Sequence, residues 1–304
     1  MLRNHVRLVR FAVTVLMLCS ALVHARAAAS ADTLVYVGTY TEHDSKGIYA
    51  YRFDSNTGHL SPVGLVAQTE NPSYLAIDPQ HRFLVAANEV EKYKGQETGA
   101  VSAFAIDAKT AKLSLLNEVS SRSPGPAYVT VDRSGRYILI ANYSLGSIAV
   151  YPLATDGHLR EPSAFIQHHG GSVNTERQAG PHAHAIELSP DNRFALVTDL
   201  GTDQVLTYSF DPSNGTLKQA HVNKLAGGFW PRHFRFFPHG RFVYVINEML
   251  STLAVFEYRS ADGSLSERQS ISTLPKEFHG KNDAAELYVH PSGRFLYASN
   301  RGHD

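Results

Sequence analysis

The stretch WPRHFRFFPHGRFVYVINE, residues 230–248, contains two short apolar runs joined by a Pro-His-Gly-Arg turn. Val, Ile, Phe and Tyr dominate the runs, which is the pattern of two antiparallel strands joined by a tight connection. Arg232 and His233 stand at one end of the stretch, and Asn247 and Glu248 stand at the other. In an antiparallel pair these two ends lie side by side, so the four side chains are predicted to meet.

The same pattern occurs five times along the chain, which indicates an internal repeat. An Arg follows the turn in each copy, at spacings of 54, 57, 48 and 53 residues. These repeated arginines are Arg82, Arg136, Arg193, Arg241 and Arg294. A second repeated segment, such as SFDPSNGTL at 209–217, alternates with the first and supplies two more strands. Four strands in a unit of about 50 residues are typical of a β-propeller blade, and a pair of stacked β-sandwiches is the alternative.

Residues that recur at one place in several copies are interpreted as structural. The repeated Arg is expected to bond loop carbonyls or acids, and an Asn at the end of the second strand is expected to cap loop backbones. The four asparagines are Asn88, Asn142, Asn247 and Asn300. Residues that differ between copies are better candidates for function. Arg232 is one of them, since we align it with Ser73, Ala127 and Ala183 in other copies.

The first 31 residues predict a secretory signal peptide. Arg3, Arg7 and Arg10 precede the apolar run 11–23, and the small-residue segment ARAAASA follows it at 25–31. The apolar run is too short for a permanent membrane span, although an N-terminal anchor is the alternative. We therefore expect an exported protein, periplasmic or secreted, without stable membrane insertion.

The charge balance of the remaining chain disfavours nucleic acid as a partner. The full chain of 304 residues has 28 basic and 28 acidic side chains, and the leader contains four Arg and no acid. Residues 32–304 therefore carry 24 basic and 28 acidic groups, a net charge of −4 with neutral His. Nucleic-acid sites need clustered Lys and Arg. Cys19, the only Cys, lies in the leader, so no disulfide is expected. The sequence does not predict an oligomeric state.

The blade model predicts where polar groups of different copies meet. The first strand of a blade lines the central channel and the second runs back beside it, so the start of one and the end of the other share a rim. Two arginines, carboxylates and a His pair around one rim are typical of an anion-binding, acid–base site. The predicted substrate-binding residues are His182, His233, Asn247, Glu286 and Asn300.

Two further interpretations of the His-containing segments stay open. His182 and His184 alternate along a strand, so either could act as a base, and with a carboxylate they could bind Zn²⁺ or Ca²⁺. No ligand spacing is diagnostic, and we predict neither a metal nor a cofactor. The polar loop IQHHGGSVNTERQAGPHAH at 166–184 leads to the rim, where His168, His169 and Arg177 could form a lid, and a plain solvated loop is the alternative.

These motifs together resemble the lactonase family of seven-bladed β-propellers, which includes a bacterial 6-phosphogluconolactonase and a fungal carboxy-cis,cis-muconate cyclase. The resemblance covers the chain after Asp32 and is carried by segments such as NPSYLAIDP at 71–79 and GPHAHAIELSPDNRFALVTDLG at 180–201. It implies an all-β domain over 32–304, with seven four-stranded blades of which about five and a half are expected in this chain. The expected remainder would lie beyond the second strand of the sixth unit, as in a fragment of a longer product.

The resemblance also implies an activity and a set of catalytic residues. The cyclase branch uses a His, an Arg, a Glu and a second Arg at the channel mouth, which match His184, Arg232, Glu248 and Arg301 by motif. We expect a lactone hydrolase that acts on a sugar or other anionic lactone or carboxylate. A muconate-type cycloisomerase and a non-catalytic binding propeller are the alternatives.

Overall fold

The computed structural model describes residues 33–238 and 240–303, and all regular secondary structure in this part of the chain is β. The described residues contain no helix that could cross a membrane. The predicted signal peptide lies outside the described residues. The all-β prediction is therefore confirmed for the part of the chain that the structure describes.

The described residues fall into two compact units, a smaller one of 33–35 and 51–62 and a larger one of 36–50 and 63–303 without residue 239. Each of three strands has residues in both units. These strands are β1 (Thr33–Val37), β2 (Gly47–Asp54) and β3 (His59–Gln68). Within the smaller unit, Asp54 Oδ1 accepts the N–H of Asn56 at 2.8 Å, and Gly58 takes a φ of 72°. A Gly there is favoured because positive φ strains other residues.

The larger unit contains four four-stranded antiparallel sheets and one two-stranded sheet, each with its strands in chain order. The strands of the first two sheets are β4 (Pro72–Ile77), β5 (Phe83–Asn88), β6 (Ala100–Ile106), β7 (Leu113–Ser120), β8 (Pro126–Val131), β9 (Tyr137–Asn142), β10 (Ser147–Pro152) and β11 (Ala164–Gln167). The next two contain β12 (Ala183–Leu188), β13 (Phe194–Asp199), β14 (Gln204–Asp211), β15 (Thr216–Lys224), β16 (Pro231–Phe236), β17 (Phe242–Asn247), β18 (Thr252–Arg259) and β19 (Ser264–Ser272). The two-stranded sheet pairs β20 (Asp283–Val289) with β21 (Leu296–Arg301). Sheets of this kind are β-propeller blades, as predicted, whereas the number of blades in the complete domain stays a prediction.

Burial along each blade follows the position of the strand. Every residue of β5, β9 and β13 is buried, because neighbouring sheets cover both of their faces. The outer strand β19 has seven exposed residues in succession. Apolar side chains of adjacent blades interlock between the sheets, as Leu139 and Val150 do with Ala185 and Val197. The core is therefore made between blades, and this packing holds the inner strands in a fixed arrangement.

The repeated Arg makes the same contact in five copies. Its guanidinium carbon lies over the ring of the next residue, at 4.8 Å for Arg82 over Phe83 and at 5.2 Å for Arg241 over Phe242. The other three pairs are Arg136 with Tyr137, Arg193 with Phe194 and Arg294 with Phe295. These arginines lie at exposed turns and stabilise them by cation–π contact, in addition to the expected carbonyl and acid contacts of some of them.

The turn between β8 and β9 is built around a buried carboxylate. Asp132 Oδ1 accepts the N–H groups of Arg136 at 2.7 Å and of Tyr137 at 2.9 Å. Ser189 occupies this place one blade later, where its Oγ accepts only the N–H of Phe194, at 3.0 Å. Burial opposes ionisation of Asp132, but the hydrogen bonds it accepts hold its pKa below the ordinary value. The carboxylate therefore fixes the turn in its charged form.

Asp132→Ala is expected to lower the free energy of unfolding by about 1–3 kcal/mol, because it leaves backbone N–H groups unpaired. The lowered pKa means that this contribution is present at neutral pH and is lost as the pH falls through the folded-state pKa. Urea unfolding at pH 7 measures the effect. Asp132→Ser, which copies Ser189, is the matched control and should lose less. Equal unfolding free energies for all three proteins would contradict this role.

Candidate functional site

The innermost strand of four blades carries a β-bulge at the same place. Strand pairing shifts by one residue at the second position of β4, β8, β12 and β16. The bulged residues are Ser73, Ala127, His184 and Arg232. A bulge turns its side chain away from the direction that the in-and-out alternation of strand residues would give it. Bulges are frequent beside active sites. The fold therefore presents His184 and Arg232 from equivalent positions of neighbouring blades.

This register corrects the alignment of Arg232 with Ala183. Pro231 stands directly before Arg232, whereas Pro181 stands two residues before Ala183, so the Pro is a poor marker of register in that copy. The strand pairing instead makes His184 the equivalent of Arg232. Counting back nine residues from the repeated Arg locates each of the four bulges, and this count was the signal in the sequence that could have found the register.

Three guanidinium groups converge on the carboxylate of Glu248. Arg232 Nε and Arg301 Nη2 lie 2.9 and 3.0 Å from Oε2, and Arg177 Nη2 lies 3.3 Å from Oε1. The side chains of Glu248 and Arg232 are 6% and 16% exposed, whereas Arg301 and Arg177 are about half exposed. We call these four residues the Glu248 cluster. Three positive charges against one negative charge give it a net charge of +2.

Backbone hydrogen bonds on both sides fix the position of Glu248. It follows the last residue of β17, where its N–H donates to Trp230 O and its carbonyl accepts the N–H of Ala284, both at 2.9 Å. Arg232 Nη1 donates to Ala285 O at 2.9 Å. The Nε atom of Arg232 is buried and makes an ion pair with Glu248. Burial lowers the pKa of Arg232 and the charge of Glu248 opposes this change, so the guanidinium stays charged.

Arg177 reaches the cluster from the long polar loop that precedes β12. Its guanidinium carbon lies 4.6 Å from the centre of the Trp230 ring, and its Nη1 is 3.4 Å from Met249 Sδ. The loop is tied down by Asp203, a buried carboxylate that accepts hydrogen bonds from Gln178 Nε2 at 2.9 Å and from the N–H of Trp230 at 2.7 Å. Arg177 thus lies beside Glu248, whereas His168 of the same loop is buried with its Nδ1 2.6 Å from Asp199 Oδ2. A lid role for the loop stays a prediction.

His184 is buried beside the guanidinium groups. Burial lowers its pKa well below the ordinary value, and the charges of Arg232, His233 and Arg301 act in the same direction. The ring is therefore neutral at physiological pH. Its Nδ1 is buried and makes no hydrogen bond to another residue in the described part of the chain. A neutral imidazole with an unused nitrogen can accept or donate one hydrogen bond to a ligand.

His233 follows the bulge in β16 and is held by an acid from the adjacent blade. Its Nδ1 lies 2.9 Å from Glu286 Oε2, and its ring makes edge contacts with Tyr74, Tyr128 and His184 at centroid distances of 5.7, 5.2 and 4.9 Å. Burial lowers the pKa of His233 to about 4, against the raising effect of Glu286. Burial opposes ionisation of Glu286, but its hydrogen bond with His233 and nearby charges lower its pKa to about 2.

Two residues further along β16, Arg235 occupies the centre of a second network. It donates to the hydroxyls of Tyr128 and Tyr74 and to the carboxylates of Glu187 and Glu286. Burial acts to lower the pKa of Arg235, but these oxygen partners raise it above its ordinary value, so this Arg stays charged. The Tyr74 and Tyr128 rings stack at 4.1 Å. Tyrosines and acids from four blades thus surround this cation.

The other predicted substrate-binding residues make contacts within the protein. His182 stacks on Tyr143 at a centroid distance of 4.7 Å, and its Nδ1 lies 2.9 Å from the Tyr143 carbonyl. Asn247 Nδ2 donates to Thr252 Oγ1 at 3.0 Å, and Asn300 Oδ1 accepts from Thr273 Oγ1 at 2.9 Å. Substrate binding by His182, Asn247 and Asn300 stays a prediction. Among the described residues, no group of three or more His, Cys, Asp or Glu side chains is arranged to hold a metal ion.

Comparison with known proteins assigns the chain to a family. Residues 34–304 match the family model described as "Lactonase, 7-bladed beta-propeller". The chain belongs to this lactonase family. The predicted relationship is thereby confirmed, and it covers nearly all of the described residues.

Named relatives within the lactonase family are similar over most of their length. The chain is 35% identical over 269 residues to a 6-phosphogluconolactonase of Bacillus subtilis, covering 88% of this chain and 75% of that protein. It matches the solved structure of a periplasmic gluconolactonase of Pseudomonas aeruginosa with a TM-score of 0.82 and 35% identity, covering 89% of this chain and 77% of the other. A protein from Lactobacillus plantarum is similar at a TM-score of 0.82 and 34% identity, covering 89% and 76%.

In this lactonase-family chain, the structure brings the four predicted catalytic residues to one place. Arg232, Glu248 and Arg301 are joined by ion pairs, and His184 lies close enough to both arginines for their charges to lower its pKa. Sequence reasoning missed Arg235 and Glu187, which the structure joins in one partly buried ion pair. They occupy the fifth position of their strands in equivalent register, and opposite charges at that position were the available signal.

Proposed function

We propose that this protein is a lactone hydrolase whose substrate carries an anionic group, and that it acts outside the cytoplasm. The observation that carries the substrate class is the convergence of three guanidinium groups on one buried carboxylate, which leaves a net positive charge. Relatives named 6-phosphogluconolactonase and periplasmic gluconolactonase support the reaction type. The leader-like N-terminus and the periplasmic relative support the location.

The Glu248 cluster supplies what an anionic substrate needs. A guanidinium group can bind a carboxylate or phosphate through two parallel hydrogen bonds, and such charge-assisted bonds are stronger than neutral ones. Arg301 and Arg177 are half exposed and can reach a ligand from the solvent side. Arg232 is more deeply buried, with its side chain 16% exposed. We assign the outer pair to the anionic substituent and Arg232 to the lactone group.

Lactone hydrolysis also requires charge stabilisation and proton transfer. Attack of water on the carbonyl carbon moves negative charge onto the carbonyl oxygen, where a preorganised cation such as Arg232 stabilises the transition state. Glu248 already contacts three cations, so it acts as an anchor for them rather than as a base. Proton transfer therefore falls to the imidazoles of the site, which have unpaired ring nitrogens.

A paired assay of glucono-δ-lactone and its 6-phosphate tests the anionic substrate class. The phosphorylated lactone should have the higher kcat/KM, and Arg301→Gln should reduce that preference about tenfold through loss of one charge-assisted contact. Arg193→Gln, which removes an exposed Arg at a distant turn, is the control and should keep the preference. Equal kcat/KM for the two lactones would reject the anionic class, and absence of turnover for any lactone would reject hydrolysis.

A further inference from the structure

Two neighbouring imidazole rings each bury a nitrogen that makes no hydrogen bond to any other residue that the structure describes. These atoms are Nδ1 of His184 and Nε2 of His233, and the ring centroids are 4.9 Å apart. A buried polar atom without a partner destabilises the folded protein, so its persistence indicates another role. Two such atoms on adjacent rings, close to the charge of Arg232, indicate the place where a polar atom of the reaction binds.

The contact with Glu286 decides which His233 nitrogen is free to accept a proton. A carboxylate can only accept hydrogen bonds, so the Nδ1 that lies 2.9 Å from Glu286 Oε2 carries the ring hydrogen. In a neutral imidazole the other nitrogen then has the lone pair. Nε2 of His233 is thus assigned as an acceptor, and the adjacent carboxylate can stabilise the imidazolium that forms when Nε2 takes a proton.

We propose that His233, oriented by Glu286, is the general base that removes a proton from the water attacking the lactone carbonyl. This inference rests on the lactone hydrolysis proposed above. The water oxygen bonds to the carbonyl carbon, one water proton passes to His233 Nε2, and the π electrons of the C=O bond move onto its oxygen. The ring C–O bond then breaks as the C=O bond re-forms, and His233 returns the proton to the leaving alkoxide oxygen. The product is the open hydroxy acid, which loses its acidic proton to solvent.

The charges around the two rings favour His233 over His184 for this step. His184 faces the guanidinium groups of Arg232 and Arg301, which oppose its protonation. His233 faces the carboxylate of Glu286 from β20, the hydroxyl-bearing rings of Tyr74 and Tyr128, and His184, with Arg232 and Arg235 on its own strand. Glu286 is the anion in contact with the ring, and it offsets the effect of the two arginines.

The pH dependence of kcat separates this role from a structural one. His233→Asn should lower kcat by about 10²–10⁴-fold with a small change in KM, as for loss of a general base. Glu286→Gln should lower kcat and move the acidic limb of the profile to lower pH, because the carboxylate raises the pKa of His233 and its removal lowers it. Glu187→Gln is the matched control. It contacts the same Arg235 and Tyr128 but not the imidazole, so the acidic limb should stay in place.

The outcomes distinguish the two proposals. Lactone turnover by the wild-type protein with kcat retained within about threefold in His233→Asn would overturn this inference and leave the hydrolase proposal standing. Absence of turnover in the wild-type protein would remove the hydrolase proposal and this step with it. Nitrogen NMR of the wild-type protein supplies a readout that does not depend on the variants folding. An unprotonated Nε2 on His233 at neutral pH is expected, and a protonated Nε2 would overturn the assignment.

Discussion

Arg232→Ala is expected to lower kcat/KM for lactone hydrolysis by about 10²–10³-fold, the usual cost of removing a preorganised group that stabilises an oxyanion. Arg232 is only 16% exposed, it is held by Ala285 O and Glu248, and its charge acts on the ring of His184. Under the proposed hydrolysis, this fixed positive charge stabilises the carbonyl oxygen as it becomes negative. The loss should appear mainly in kcat, because the interaction strengthens in the transition state.

The folded state should tolerate this change. Glu248 keeps its ion pairs with Arg301 and Arg177 when Arg232 is removed, so no buried carboxylate is left alone. Steady-state kinetics together with urea unfolding separate lost activity from lost structure. Arg232→Lys keeps the charge but not the planar donor group, so its kcat/KM should lie between wild type and Arg232→Ala. A kcat/KM within about threefold of wild type in Arg232→Ala would remove Arg232 from the mechanism.

Glu248→Ala is expected to be the more harmful change, lowering the free energy of unfolding by about 3–5 kcal/mol as well as abolishing activity. Removal of the carboxylate leaves the buried guanidinium of Arg232 without its anion and places three positive charges together without compensation. Arg301 and Arg177 can turn toward water, since they are half exposed, but Arg232 cannot. The loss of stability should therefore come chiefly from Arg232, which is left without its anion.

A double-mutant cycle checks this explanation. Denaturant unfolding of the two single variants and of Arg232→Ala with Glu248→Ala should give a coupling energy above about 1 kcal/mol, because the second substitution removes the stranded cation. The m-values should stay equal if the unfolding transition itself is unchanged. Additive single effects would contradict the account, as would a Glu248→Ala protein as stable as wild type.

The blades and the rim could be predicted from the sequence because both depend on short-range periodicity. A four-strand repeat locates the start and end of adjacent strands, which is enough to bring Arg232 and Glu248 together across one hairpin. Arg301 was predicted by the same rule one sheet later. Its contact with Glu248 follows from the packing of one blade against the next, as the backbone bond from Ala284 to Glu248 shows.

The exact strand register and the side-chain contacts between distant blades were harder to predict from the sequence. Ala183 was aligned with Arg232 in place of His184 because a bulge alters the pairing count without altering the apolar pattern. Arg235 finds Glu187 and the hydroxyls of Tyr128 and Tyr74 on strands 48, 107 and 161 residues away. No local sequence pattern predicts which long side chain contacts residues so far away along the chain, because these contacts depend on the directions of side chains at the channel.

The recurring bulge has a consequence for how this scaffold can diversify. The residue at the bulge lies between paired positions and is itself left out of the ladder, so its identity is decoupled from blade stability. The four blades hold Ser, Ala, His and Arg at that site, which shows how widely it can vary. Each of these four blades thus contributes one replaceable residue to a shared surface. New specificities can arise by substitution at single bulge positions while the fold that presents them stays unchanged.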